Sequence, residues 1–282
     1  MSNVAIVTDS TAYIPENLLQ KYSIHVAPQV LIWGDETFED GVDILPDEYY
    51  KRLETAQIMP STSQVTPKTF ERIFSQLIEQ GSQILAILVA NKLSGTISSA
   101  TQIKNEMPKS KIEILDSNTT AMALGFQVLL AARAAADGAS MDECISIAKE
   151  AQKHTGVVFA VDTLEFLHRG GRIGGASRYL GAALNLKPIL EVVDGKIEAI
   201  ERVRTRKKSL ARLLTIVGER IDGNESFRFA AIHANSPEDA RYLLQALEEK
   251  YNPIETIFSG VSPVIGTHAG PGTVAIAYCC GM

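Results

Sequence analysis

The chain has 282 residues, with 27 Lys and Arg against 33 Asp and Glu for a net charge of −6, and 45% of its residues are hydrophobic. That content suffices for one large domain or two of roughly 140 residues, and it excludes a disordered chain. No apolar run approaches the roughly 18 residues of a membrane span, and the opening MSNVAIVTDS lacks the pattern of a secretory signal, so a cytoplasmic location is expected. The three cysteines, Cys144, Cys279 and Cys280, are odd in number and lack metal-site spacing, which predicts reduced core or near-core thiols.

In chain order, short apolar runs at Val4 to Thr8, Val26 to Trp33, Ile84 to Ala90 and Ile112 to Leu115 alternate with helical patterns, which predicts a parallel α/β sheet. Thr66-Pro67 opens a helix whose apolar positions Phe70, Ile73, Phe74, Leu77 and Ile78 share one face before Gly81. Ala121 to Ala136 and Met141 to about Lys153 read as two further helices, broken at Gly138. An N-terminal domain is expected to end near residue 156.

From Val157 the pattern is mixed. A strand at Val157 to Val161 precedes a Gly-rich stretch, and Ile189 to Val193 turns at Asp194-Gly195 into Ile197 to Val203, the signature of a hairpin. A helix carrying Leu210, Leu213, Leu214, Val217 and Ile221 follows, then a strand at Phe229 to His233, a helix from Pro237 to Tyr251, and strands at Ile254 to Phe258 and Val274 to Cys280. The expected fold class is two-domain α/β: a parallel-sheet α/β domain over 1–156 and a mixed α+β domain over 157–282.

Charge is uneven. His168 to Arg212 holds 11 Lys and Arg against 4 Asp and Glu, a local balance of +7 that leaves −13 on the rest of the chain. The island ends in Arg202, Arg204, Arg206, Lys207, Lys208 and Arg212, a density that attracts phosphate, an acidic partner or nucleic acid unless it is simply a solvated face.

The loops after the first-half strands are rich in hydroxyls: Thr8-Asp9-Ser10-Thr11, Ser94-Gly95-Thr96 and Asp116-Ser117-Asn118-Thr119-Thr120, with Pro60-Ser61-Thr62-Ser63-Gln64 as a further loop. Ligands of open parallel sheets bind beyond the carboxyl ends of the strands, where such groups converge, although Ser, Thr and Asp also serve there as helix caps. Gly170 to Gly175 matches neither G-x-G-x-x-G nor a P-loop, there is no G-x-S-x-G, and His25, His154, His168, His233 and His268 are scattered without metal-ligand spacing. No metal or cofactor is expected. His268 stands apart, because Gly266-Thr267-His268-Ala269-Gly270-Pro271-Gly272 would hold its ring in a fixed loop.

Val7-Thr8-Asp9-Ser10-Thr11, Pro60-Ser61-Thr62-Ser63-Gln64, Leu93-Ser94-Gly95-Thr96, Leu167 through Gly174 and Ile265 through Gly272 resemble, in order and approximate position, the motifs of the bacterial DegV family. Asp162-Thr163-Leu164-Glu165 and Asn185-Leu186-Lys187-Pro188-Ile189 extend the resemblance, which covers essentially the whole chain. It implies two α/β domains holding one long-chain fatty acid, with the carboxylate near the domain junction and the acyl chain buried. It also implies a partner: a separate ATP-dependent fatty acid kinase subunit that phosphorylates the presented acid, the acyl phosphate feeding phospholipid synthesis. Carried over by motif, Thr62, Ser94 and His268 would bind the carboxylate, and Arg172 and Arg204 would serve phosphoryl transfer or kinase contact, with Arg202 and Arg206 as alternative alignments for Arg204. Ile97 departs from the family, which often carries an aromatic residue there.

Chemistry supports that reading independently, since a carboxylate taken out of water needs donors, and Thr, Ser and His supply them without fixing a full opposing charge. A fatty-acid-presenting protein that is not itself an enzyme is therefore expected, with no nucleic-acid partner, no membrane span, and room for transient contact with a membrane surface. The alternatives are a stand-alone enzyme acting on a carboxylate or acyl ester through His268 and a hydroxyl, and a nucleic-acid binder using the basic island.

Overall fold

The computed structural model of the protein describes residues 3–180 and 186–282. Asn185, which opens one of the family-like motifs, lies outside the described residues. The first half contains strands β1 (Val4–Asp9), β2 (His25–Ala27), β3 (Val30–Trp33), β4 (Glu36–Glu39), β5 (Ser61–Ser63), β6 (Gln83–Leu88) and β7 (Ile112–Asp116), with helices α1 (Glu16–Lys21), α2 (Pro46–Glu54), α3 (Pro67–Glu79), α4 (Thr96–Glu106), α5 (Ala121–Ala136) and α6 (Met141–His154). Strands β2, β1, β6 and β7 lie in that order and are all parallel. Every residue of β1 is buried, as expected of a parallel strand covered on both faces. Helix α3 begins as its sequence predicts, with the Thr66 hydroxyl accepting from the Thr69 N–H at 3.1 Å and Phe70, Ile73, Phe74 and Leu77 buried.

Two expectations are corrected here. The run Val26 to Trp33 is not one strand: after Ala27 the chain reaches Pro28, which has no N–H to donate to a ladder, and the two pieces join different sheets. Strand β3 leaves the parallel sheet and forms a small antiparallel one with β4 and β5, in the order β4-β3-β5. Residues 60–64 are accordingly not all loop, since Ser61–Ser63 forms the edge strand β5 and Thr62 stands in register with Leu31.

The second half adds β8 (Thr155–Ala160), β9 (Lys187–Val193), β10 (Lys196–Val203), β11 (Phe227–His233), β12 (Glu255–Gly260) and β13 (Val274–Cys280), with α7 (Glu165–Arg169), α8 (Arg206–Arg220), α9 (Pro237–Tyr251) and α10 (Pro263–Ala269). Its sheet runs β10-β9-β8-β13-β11-β12, antiparallel except for β11 and β12. Asp194 and Gly195 both take positive φ, 47° and 73°, which is what a tight hairpin with the twist of its strands requires. His268, expected in a loop, instead occupies the last turn of α10. The helix starts at Pro263, whose fixed φ suits a first helical position, and stops at Gly270 with φ 79°.

The six-stranded sheet has two differently used faces. Val158, Ala160, Val274, Ile276 and Phe229 pack with Leu213 and Val217 of α8 and Leu243 of α9 in one cluster. On the opposite face Phe159, Ala275 and Ile232 form a cross-strand row, directed at the first half of the chain. Helix α5 lies between the layers: residues from Ala121 to Leu129 are all buried, and they join one core with Leu85 and Ile87 of the parallel sheet and Val157 and Ala277 of the mixed sheet. A helix apolar on all sides is a helix buried on all sides, and here it ties the two sheets together. Cys144, Cys279 and Cys280 are free thiols in the core. No described helix is long and apolar enough to cross a membrane.

Candidate functional site

Between the carboxyl ends of the parallel strands and the Phe159–Ala275–Ile232 row lies a cavity of about 210 Å³. Its walls are mainly apolar and include Val89, Val157, Val192, Ile197, Val261 and Val264, and its polar lining includes Thr62, Ser94, His268, Arg172 and Gln29. Four of the five residues singled out from sequence thus meet in one place, although they span residues 62 to 268 of the chain. Each arrives by a separate route. Thr62 comes from edge strand β5, Ser94 from the turn between β6 and α4, Arg172 from the segment after α7, and His268 from α10.

The Thr62 hydroxyl lies 2.7 Å from His268 Nε2. The other ring nitrogen, Nδ1, is buried without a partner and rests against Gly170, where any Cβ would come within 2.0 Å of it. A side chain at position 170 would displace the ring, which gives the Gly-rich segment a steric role at the site. Burial, reinforced by the Arg172 charge, pulls the His268 pKa down to about 4, so the ring is neutral at pH 7. With the hydrogen on Nε2 the imidazole donates to Thr62 and leaves that hydroxyl's own hydrogen for a ligand.

Ser94 lies 2.9 Å from the Thr96 hydroxyl, and a Cβ on Gly95 between them would displace the end of the Gln64 side chain, whose oxygen it would meet at 2.2 Å. Arg172 turns its guanidinium onto backbone carbonyls, with Nε donating to Leu93 at 3.1 Å and Nη1 to Gly170 at 2.7 Å. It therefore braces both the Ser94 turn and the glycine under His268 while bringing positive charge to the cavity wall.

Arg204 is not brought to this cavity. It is exposed, as are Lys207 and Lys208, and none of the ion pairs among the described residues involves these three. The rest of the basic island is less available than its composition suggests. Arg206 pairs with Asp239 at 2.7 Å, Arg212 with Glu201 at 2.7 Å, and Arg202 stacks on the Tyr179 ring at 4.5 Å.

Sequence reasoning missed the groups that hold α10 in place. Asp40 accepts from the Val264 N–H at 3.0 Å and from the Ser10 hydroxyl at 2.7 Å, Tyr13 meets Ser262 at 3.2 Å, and Tyr49 meets Thr267 at 3.0 Å. Burial pushes the Asp40 pKa up to about 6 against these hydrogen bonds. No local pattern marks Asp40 or Tyr49, since their partners on α10 lie more than 200 residues away. Gln29 was equally silent, following Pro28 in what reads as the middle of a strand. Asp9, by contrast, belongs to a motif visible in the sequence, but it is a fully buried acceptor and not a hydroxyl facing a ligand.

The neutral His268 ring has a measurable consequence. Its folded-state pKa lies below the ordinary value of about 6.5, so the unfolded chain takes up the proton first. The resulting stability is fully present above pH 6.5 and is lost as pH falls toward 4. An NMR titration of the His268 ring in the ligand-free protein should accordingly give a midpoint near 4, and a midpoint at or above 6.5 would show that the ring is solvated.

A family model described as "Uncharacterised protein, DegV family" matches residues 3–280. A DegV domain-containing protein of Caldanaerobacter subterraneus is 34% identical over 279 residues, covering 99% of both chains. Among solved structures, a DegV family protein from Thermus thermophilus, described by its fatty acid binding, superposes with a TM-score of 0.93 at 30% identity over 99% of each chain. DegV from Bacillus subtilis, described as a fatty acid binding protein, superposes with a TM-score of 0.91 at 32% identity over 99% of this chain and 100% of its own. With a match that runs from the first strand to the last and a shared fold at this level of identity, the chain belongs to the DegV family.

Proposed function

We propose that the protein binds one long-chain fatty acid, its carboxylate received by Ser94 and by Thr62, whose hydroxyl His268 orients, and its acyl chain lying along the apolar walls of the cavity. The observation that carries this reading is the meeting of the Thr62 and Ser94 hydroxyls, with His268 behind Thr62, on a cavity whose walls are mainly apolar, in a chain whose structural relatives are described as fatty acid binding proteins. The energetics favour such a division of labour. At about 0.8 kcal/mol per methylene, some 15 buried methylenes contribute about 12 kcal/mol before the cost of association, so the head group has to supply placement more than affinity.

The bound acid is presented to a separate ATP-dependent kinase subunit, which forms the acyl phosphate that feeds phospholipid synthesis in the cytoplasm. Arg172, at the cavity wall, is suited to offset charge on a phosphoryl group, and exposed Arg204, with Lys207 and Lys208, to meet an acidic partner surface. The chain divides into units 1–156 and 157–282, with the acid held at their junction. A stand-alone hydrolase fits less well: a histidine with a pKa near 4 is a poor general base at pH 7, where the effective catalytic pKa lies near the working pH.

The test of lipid binding is mass spectrometry of solvent extracts of the purified protein, where a long-chain fatty acid is expected at close to one per chain. Replacing Ser94→Ala or Thr62→Val should weaken its retention by about 1 to 3 kcal/mol each, the cost of removing one donor from a buried charged acceptor. Absence of lipid together with failure to bind added fatty acid would refute the reading. Unchanged affinity in both folded variants would return these hydroxyls to a purely structural role.

Presentation is tested separately. Arg204→Ala should keep its lipid, yet with kinase subunit and ATP its acyl phosphate formation should fall sharply, and the remaining docking should weaken further with added salt. Full activity of the variant would remove Arg204 from the partner surface, whereas loss of lipid would place it in the binding site.

A further inference from the structure

We propose that Thr96 and Gln29, anchored by the buried Asp9, are positioning residues that force the Ser94 hydroxyl to donate into the cavity, and that this polarity selects an acceptor-only head group over one that must also donate. The inference rests on the reading of Ser94 as a head-group contact. The hydrogens run along a chain of side chains that starts at Asp9, both of whose oxygens accept backbone N–H groups.

Asp9 is fully buried. One oxygen accepts from the Thr11 N–H at 3.0 Å and the Thr11 hydroxyl at 2.7 Å, and the other from the Val89 N–H at 2.7 Å. The Gln29 amide lies 3.4 Å from the first of these oxygens, so it must turn its nitrogen toward Asp9, because its own oxygen there would face an acceptor. The second hydrogen of that nitrogen runs to the Thr96 hydroxyl oxygen at 3.0 Å, which also receives the Val65 N–H at 3.4 Å. Both lone pairs of Thr96 are then engaged, and its hydrogen is left for Ser94 Oγ at 2.9 Å. Ser94 Oγ receives the Thr96 N–H as well, at 3.4 Å. With two bonds coming in, the Ser94 hydrogen has only Gln29 Oε1, at the 3.5 Å limit of hydrogen-bonding distance, or an oxygen in the cavity.

The chain therefore transmits direction. A carboxylate only accepts, and it takes hydrogens from Ser94 and Thr62 without leaving one of its own unmatched. A primary alcohol or amide of the same length brings hydrogens into a region where the nearby hydroxyls are already donors, and a buried donor without an acceptor is costly. Thr96 and Gln29 need not touch the ligand for this discrimination to operate.

The test compares binding of hexadecanoic acid, 1-hexadecanol and hexadecanamide to the delipidated full-length protein. In Thr96→Val the acid should bind about five- to tenfold more weakly while the alcohol and amide change by less than about twofold, so that the preference for the acid shrinks. Thr96→Ser, which retains the hydroxyl, should restore it. In a double-mutant cycle, Ser94→Ala with Thr96→Val should be no weaker toward the acid than Ser94→Ala alone, because both changes cut the same chain. Equal weakening of all three ligands in Thr96→Val, or losses that multiply in the double variant, would overturn the proposal. Should Thr96→Val fail to fold, Gln29→Met is read by the same comparison, and an unchanged preference for the acid there overturns it too. Failure of the head-group reading looks different, since Ser94→Ala would then leave acid binding intact.

Discussion

Hydrogen bonds between polar groups buried at the seam between two sheets shape this protein more than any single apolar contact. Asp9, Asp40, Gln29, Thr96, Ser262 and Thr267 are all buried, and the hydrogen bonds made by the two aspartates come from neutral hydroxyls, amides and backbone N–H groups. An unmatched group in such surroundings costs on the order of 1 to 3 kcal/mol, so the partners from the two halves of the chain are held in register. The helix bearing His268 is fixed in this way, through Asp40 to Val264, Tyr13 to Ser262 and Tyr49 to Thr267. Apolar packing through α5 brings the layers together, and the polar seam sets where the site residues stand.

The same arrangement bears on the proposed binding of a carboxylate. A bidentate arginine would neutralise a carboxylate and fix both oxygens; neutral donors hold it with less charge compensation. Arg172 stands at the wall, but its guanidinium is occupied by the carbonyls of Leu93 and Gly170. Its visible work is structural, and its charge contributes to the field of the cavity and, after burial, to the low pKa of His268.

Much of the fold could be read from the sequence because its signals are local. The face of α3, the hairpin turn at Asp194-Gly195 and the continuous apolar runs of β1 and β6 each declare an element within a dozen residues. The reading failed where context decided. Val26 to Trp33 looks like one strand until Pro28 divides it between two sheets, and Ser61–Ser63 has too few residues and too polar a composition to declare a strand without its partner β3. His268 was legible as a fixed residue but not as a helical one, because three glycines and a proline suggest a loop. Thr62, Ser94, Arg172 and His268 could be named from motifs, yet their convergence could not, and Asp40 and Gln29 carried no signal because their partners are brought to them only by the fold.

The most direct test is the structure of the complex with a long-chain fatty acid. The account predicts carboxylate oxygens within hydrogen-bonding distance of Ser94 Oγ and Thr62 Oγ1, with the chain running along Val157, Phe159 and Ile232. A carboxylate held away from both hydroxyls, on the Arg172 guanidinium or at the protein surface, would contradict it.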